Sequence, residues 1–136
     1  MRVVEARGDD GISTIEVVIL APLLMMFILV LVAFGQLVDG RGALDGAARD
    51  AARAGTLQRD SDSAMEQARA AAEADLEDVC AGAVKVTKTS AGFEAGSLFT
   101  VQVSCEVRGL AMLGLDIGTT LTAQSTSPID QYRRTQ

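Results

Sequence analysis

The chain has 136 residues, enough for one modest domain and a membrane segment. Its net charge is −6, from 12 basic and 18 acidic residues, which argues against a nucleic-acid partner, because phosphate binding is driven by clustered Lys and Arg. It has no His, and so lacks the commonest general base and the commonest zinc ligand.

The leader MRVVEARGDDG carries Arg2 and Arg7 but also Glu5, Asp9 and Asp10. It precedes an apolar run, Val17 to Val38, of 22 residues without a charged side chain. At about 1.5 Å per residue that is roughly 33 Å of helix, enough to cross the hydrocarbon of a bilayer. A secretory signal has a shorter run, closed by a small-residue cleavage site. No such site closes this one before Gly40, so the segment reads as retained.

The Lys/Arg rule does not settle its orientation. Two Arg precede the span, and Arg41, Arg49 and Arg53 follow it closely. The two cysteines, Cys80 and Cys105, favour an extracytoplasmic C-terminal part, because disulfides persist outside the reducing cytosol.

Glu16 stands at the entrance of the span. An ionisable group at the edge of a spanning helix is a functional-site hypothesis by default, against the plainer reading of an idle carboxylate at headgroup depth. The order Gly11, Ile12-Ser13-Thr14-Ile15-Glu16 and then the apolar run resembles the class III signal of type IV pilins. A membrane peptidase cuts such signals after the Gly, on the cytoplasmic side. The resemblance implies cleavage between Gly11 and Ile12. It makes Glu16, the fifth mature residue, the assembly glutamate.

A narrower resemblance covers about half the chain. Glu16, the run L-A-P-L-L, Ala33-Phe34-Gly35-Gln36, the Ala/Arg-rich stretch Leu44 to Gly55 and the late TTLTAQST strand are together similar to the TadE-like minor pilins of tight-adherence (Flp) pilus systems. The acidic leader departs from the more basic leaders usual there. The resemblance implies a set of partners: a prepilin peptidase, a major pilin, a sister minor pilin, a membrane platform protein and a cytoplasmic ATPase. The residues themselves point only to a peptidase and a helical neighbour.

Pro22 lies inside the span, where it removes one backbone hydrogen bond and predicts a kink that sets tilt. Met25, Met26 and Phe27 are lipid- or neighbour-facing bulk; no polar ligand lies near them for a cofactor. Past Val38, the residues Leu37, Leu44, Ala47, Ala48, Ala51, Ala54 and Leu57 keep a helical period. Gly42-x-x-x-Gly46 allows close helix approach. This stretch is either a flexible collar or a packing face for neighbouring subunits.

QRDSDS, from Gln58 to Ser63, breaks the pattern. Ser63-Ala64-Met65-Glu66 then reads as a capping box opening a second helix. Its apolar face is Met65, Ala68, Ala72, Leu76 and Val79, with Gly82 as C-terminal cap. The acids near its end read as a solvated face, since they lack the loop spacing of a calcium site.

The period changes to two at Val84. Val84–Thr87, Leu98–Arg108 and Thr119–Ser127 read as strands, and Pro128 ends the third before a polar tail. Phe99, Val101, Val103, Cys105 and Val107 share the inward face of the second. The apolar loop LAMLGLDI either tucks under the sheet or forms a contact patch. A Cys80–Cys105 disulfide would fasten helix to sheet, worth roughly 3–4 kcal/mol in the chain-entropy estimate; two buried thiols are the alternative.

The expected fold is α+β: a long N-terminal transmembrane helix, a second amphipathic helix and a small three-stranded antiparallel sheet. The expected organisation is a cytoplasmic leader at 1–11, a membrane helix at 12–38 and an extracytoplasmic head at 39–136. No residue set builds an active site, a metal cluster or a phosphate-binding loop, so neither an enzyme nor a cofactor is expected. Three functions compete. The first is a minor pilin or pseudopilin of a Tad-type pilus. The second is an unprocessed, single-pass anchored binding module. The third is a type II secretion pseudopilin.

Overall fold

The computed structural model describes residues 14–107, 114 and 117–132. The order is α1 (Thr14–Thr56), α2 (Ser61–Asp75), β1 (Lys85–Lys88), β2 (Leu98–Val107) and β3 (Thr119–Pro128). The chain divides into two units, residues 1–32 and 33–136. The fold is α+β, with one long apolar N-terminal helix, a second helix and a three-stranded antiparallel sheet ordered β1-β2-β3.

In the first unit, α1 begins at Thr14 and runs through Pro22 without a break in its helical residues. Every side chain from Thr14 to Val32 is exposed, including the large apolar ones. A helix that is apolar all round and covered by nothing in its own chain needs an apolar surrounding. By length and composition it is able to span a bilayer.

In the second unit, α1 continues to Thr56 as one element. Ala33, Gly40, Leu44, Ala47, Ala48, Ala51, Ala52 and Gly55 are buried on it. Off this face, Gly42 and Gly46 keep the packing surface for neighbouring subunits open; the Ala face itself is not a flexible collar. It is the core of the head itself. Two glycines explain how the helix comes so close to the sheet. A Cβ on Gly40 would sit 3.0 Å from Val107 Cγ1, and one on Gly55 would collide with the Phe99 ring. The helix thus lies along β2, from the Val107 end to the Phe99 end. Gly42 and Gly46 face open space instead. Leu57, grouped by period with the buried face, is exposed, and Ala52 takes its place in the core.

α2 opens three residues earlier than the Ser63 box predicts. Asp60 is the N-cap, and one of its carboxylate oxygens accepts from the Ser63 backbone N–H at 2.8 Å. The Ser63 hydroxyl donates to the other oxygen, also at 2.8 Å. Asp and Ser are equally good N-caps, so the earlier one wins where its carboxylate reaches two donors. The helix also ends earlier. Leu76 is its C-cap, and residues 76–79 form a turn in which the Val79 and Cys80 N–H groups donate to the Leu76 carbonyl. Gly82 lies beyond that turn and caps nothing. Ala64, Ala68, Ala72 and Leu76 are fully buried at four-residue spacing, while Met65 and Val79 lie at the edge of the core.

β2 is the centre of the sheet. Phe99, Val101, Val103, Cys105 and Val107 are buried on its inner face, and the burial alternates along the strand. β3 pairs with it over ten residues in one unbroken register, from Leu98↔Pro128 to Val107↔Thr119. β1 covers only four, from Lys85↔Ser104 to Lys88↔Val101. Pro128 belongs to the strand rather than ending it, and Ile129 beyond it is buried. The Ile129 N–H donates to the Ser97 carbonyl at 2.9 Å, so pairing outlasts the proline. Phe93, in the β1–β2 connection, meets Phe99 edge-on with ring centroids 5.5 Å apart. Of the apolar loop between β2 and β3, residues 108–113, 115 and 116 lie outside the described ones.

Candidate functional site

The residues singled out from the sequence do not converge on one cleft. Gly11 and Ile12 lie outside the described residues. Glu16 stands in the first turn of α1 and is exposed. A carboxylate there is well placed for the partial positive charge of a helix start. It has the apolar segment immediately on its C-terminal side, so it marks the boundary between polar chain and apolar rod. Pro22 lies six residues further in, among exposed apolar side chains.

Cys80 and Cys105 form a disulfide with Cα atoms 5.8 Å apart. Cys80 also forms an isolated antiparallel bridge with Val107, and the Ala81 N–H donates to the Glu106 carbonyl at 2.7 Å. The segment after α2 is therefore tied to the end of β2 by covalent and backbone bonds together. Because Val107 is also the residue that touches Gly40, this clasp sits where α1, β2 and the exit of α2 meet.

Sequence reading missed one electrostatic feature. Asp50 on α1 and Asp75, the last residue of α2, are exposed carboxyl groups close enough to interact. Slight desolvation first, then the charge of Asp50 and its side chain's proximity, push the Asp75 carboxyl above the ordinary aspartate range. The two residues are 25 positions apart, and they meet because both helices bury residues in one common core.

Among the described residues, no group of three or more His, Cys, Asp or Glu is placed to hold a metal ion. The polar outer face of the sheet is built from hydroxyls. Thr100 and Thr126 share a hydrogen bond at 2.9 Å, and Gln124 donates to Thr89 at 3.5 Å. The first of these is a cross-strand pair between β2 and β3 that adds to the sheet's stability.

Residues 11–53 match the model of the TadE-like protein family. The matched stretch is the apolar span and most of the Ala-rich part of α1; the rest of the head lies outside it. No curated protein and no solved structure gives a match.

Proposed function

We propose that this TadE-like chain is a minor pilin or pseudopilin that supports assembly of a Tad-type pilus from the membrane. The observation that carries this reading is Glu16 at the head of a bare apolar helix, inside a matched segment that starts at Gly11. The proposed order is a cytoplasmic leader through Gly11, a span from Ile12 to Val38, and an extracytoplasmic head from Asp39 onward. The head's disulfide supports an oxidising compartment on that side.

Cleavage after Gly11 by a prepilin peptidase frees the α-amine of Ile12. That amine is positive at neutral pH, and the Glu16 carboxylate is negative. In the hydrocarbon, or inside a bundle of apolar helices, an unpaired carboxylate is costly. Pairing with the amine of an adjacent subunit offsets that cost and fixes the axial register between the two helices. The apolar segment first holds the subunit in lipid. It then packs against the helices of the major pilin or a sister minor pilin. The platform protein and the ATPase act on that assembly from the membrane and the cytoplasm.

The test is Glu16→Ala. It leaves membrane insertion intact, because the span is unchanged, and it abolishes surface pili counted by electron microscopy. Normal pili in that variant contradict the mechanism.

A further inference from the structure

The uncharged run of α1 ends at Val38, and the exposed Asp39 and Arg41 follow it. The head does not stop at that level. Val107 lies against Gly40, Leu37 packs on the edge of the core, and Ala33 is buried with 6% of its surface exposed. Ala33, Leu37, Gly40 and Leu44 follow one another at helical steps, which keeps them on one face. Large neighbours on the same helix do not explain the burial of Ala33. Ala21 stands among Val17, Val18, Leu24 and Met25 and is exposed. The head itself therefore covers α1 inside the run, about 7–8 Å of helix short of Val38.

Ala33 to Val38 belong to the same compact unit as the sheet, so the end of the run and the end of β2 are placed within one body. What the chain exposes at this end is apolar. Phe34 and Val38 are exposed on α1. Ile117 is 55% exposed, two residues before the Thr119–Val107 pair that closes the ladder. In sequence it follows Leu110, Met112, Leu113 and Leu115. Apolar side chains held at the edge of a bilayer leave water for acyl chains, and that transfer is favourable. The exposed charges near this end, Asp39, Arg41 and Glu106, are of both signs, so they select no charged lipid.

We propose that the head is seated in the bilayer surface and not held clear of it. The part of the head past the Val107 end of β2 lies at the depth of the acyl chains, and Ile117 enters them. The partner is the lipid itself, taken by apolar contact and not by headgroup charge. The surface is continuous with the span, since Phe34 and Val38 belong to both. A contact beside the helix axis, added to the span, fixes the tilt of the head on the membrane.

This inference rests on reading α1 as a membrane span, and its test separates the two. The chain has no Trp, so each substitution supplies a single reporter. Ile117→Trp, Phe27→Trp in the span and Leu57→Trp at the far end of α1 replace exposed side chains. Each full-length variant is purified and placed in vesicles of neutral phosphatidylcholine, plain or brominated on the acyl chains. Bromine quenches indole emission only on contact. Ile117→Trp is expected to lose emission in the brominated vesicles as Phe27→Trp does, and Leu57→Trp to keep it.

Quenching of Phe27→Trp without quenching of Ile117→Trp overturns the seated head and leaves the span standing. Absence of quenching at Phe27→Trp overturns the span, and the inference falls with it. If Ile117→Trp does not fold, the wild-type chain is irradiated in vesicles of phosphatidylcholine with a photoactivatable acyl chain. Lipid adducts are then expected on the tryptic peptide 109–133 as well as on the span's peptide, and not on 54–59. Adducts confined to the span's peptide overturn the inference.

Discussion

Gly55 and Gly46 lie on one helix and have opposite jobs. Gly55 is a notch for the Phe99 ring, whereas nothing stands within 4 Å of a Cβ at Gly46. Gly55→Ala forces the ring or the helix to move, and overpacking of this kind costs about 1–3 kcal/mol. Gly46→Ala relieves the helix of a poor helix former and adds up to about 1 kcal/mol. Thermal melts of the two variants are expected to shift in opposite directions. The Asp50–Asp75 pair gives a second residue-scale expectation. A carboxyl whose folded pKa lies above its unfolded value stabilises most at acid pH and loses that contribution as pH rises through the folded value. Asp75 is such a group. Asp75→Asn is therefore expected to raise the melting temperature at pH 7, and the gain is expected to shrink as the pH is lowered through the aspartate range. An equal gain at all pH values contradicts the pairing. That pair was not legible beforehand. Period and composition show which face of a helix is buried, but not which exposed acids two helices bring together.

At the scale of elements, the strands were the most legible part. Val, Phe and Cys alternate with polar residues over Leu98 to Val107, and burial follows that alternation residue by residue. The helix boundaries were less legible, for a physical reason in each case. Asp60 and Ser63 are both competent caps, and the choice depends on which side chain reaches the free N–H groups. At the other end, the turn from Leu76 to Val79 is fixed by the clasp through Cys80 and not by any local helix-stop signal. Ile129 escaped notice because a proline precedes it, yet pairing outlasts that proline. The clasp carries its own prediction. Eight of the eighteen residues of the head's core are alanine, so it has little apolar area to spare. Replacing both Cys80 and Cys105 with Ser is expected to lower stability by roughly 3–4 kcal/mol in denaturant melts. A loss under about 1 kcal/mol contradicts a structural role for the bond.

At the scale of the whole molecule, one helix serves two solvents. Its first part is apolar on all sides and exposed; its second part is alanine and glycine on one side and charged on the other. The change falls near Val38, where the uncharged run ends, and that much was plain from composition. What composition left open was the use of the second part. The fold uses its alanine side to hold the chain's own sheet and leaves Gly42 and Gly46 facing open space. That leaves Glu16, in the first turn of α1, as a feature that nothing within the described chain completes.

The central claim is that the leader is removed and Glu16 then finds a neighbour's new amine. The N-terminal mass of the chain recovered from membranes tests it most directly. The account predicts a mature chain that begins at Ile12. A chain that begins at Met1 in cells that assemble normal pili contradicts it and leaves an anchored head in its place.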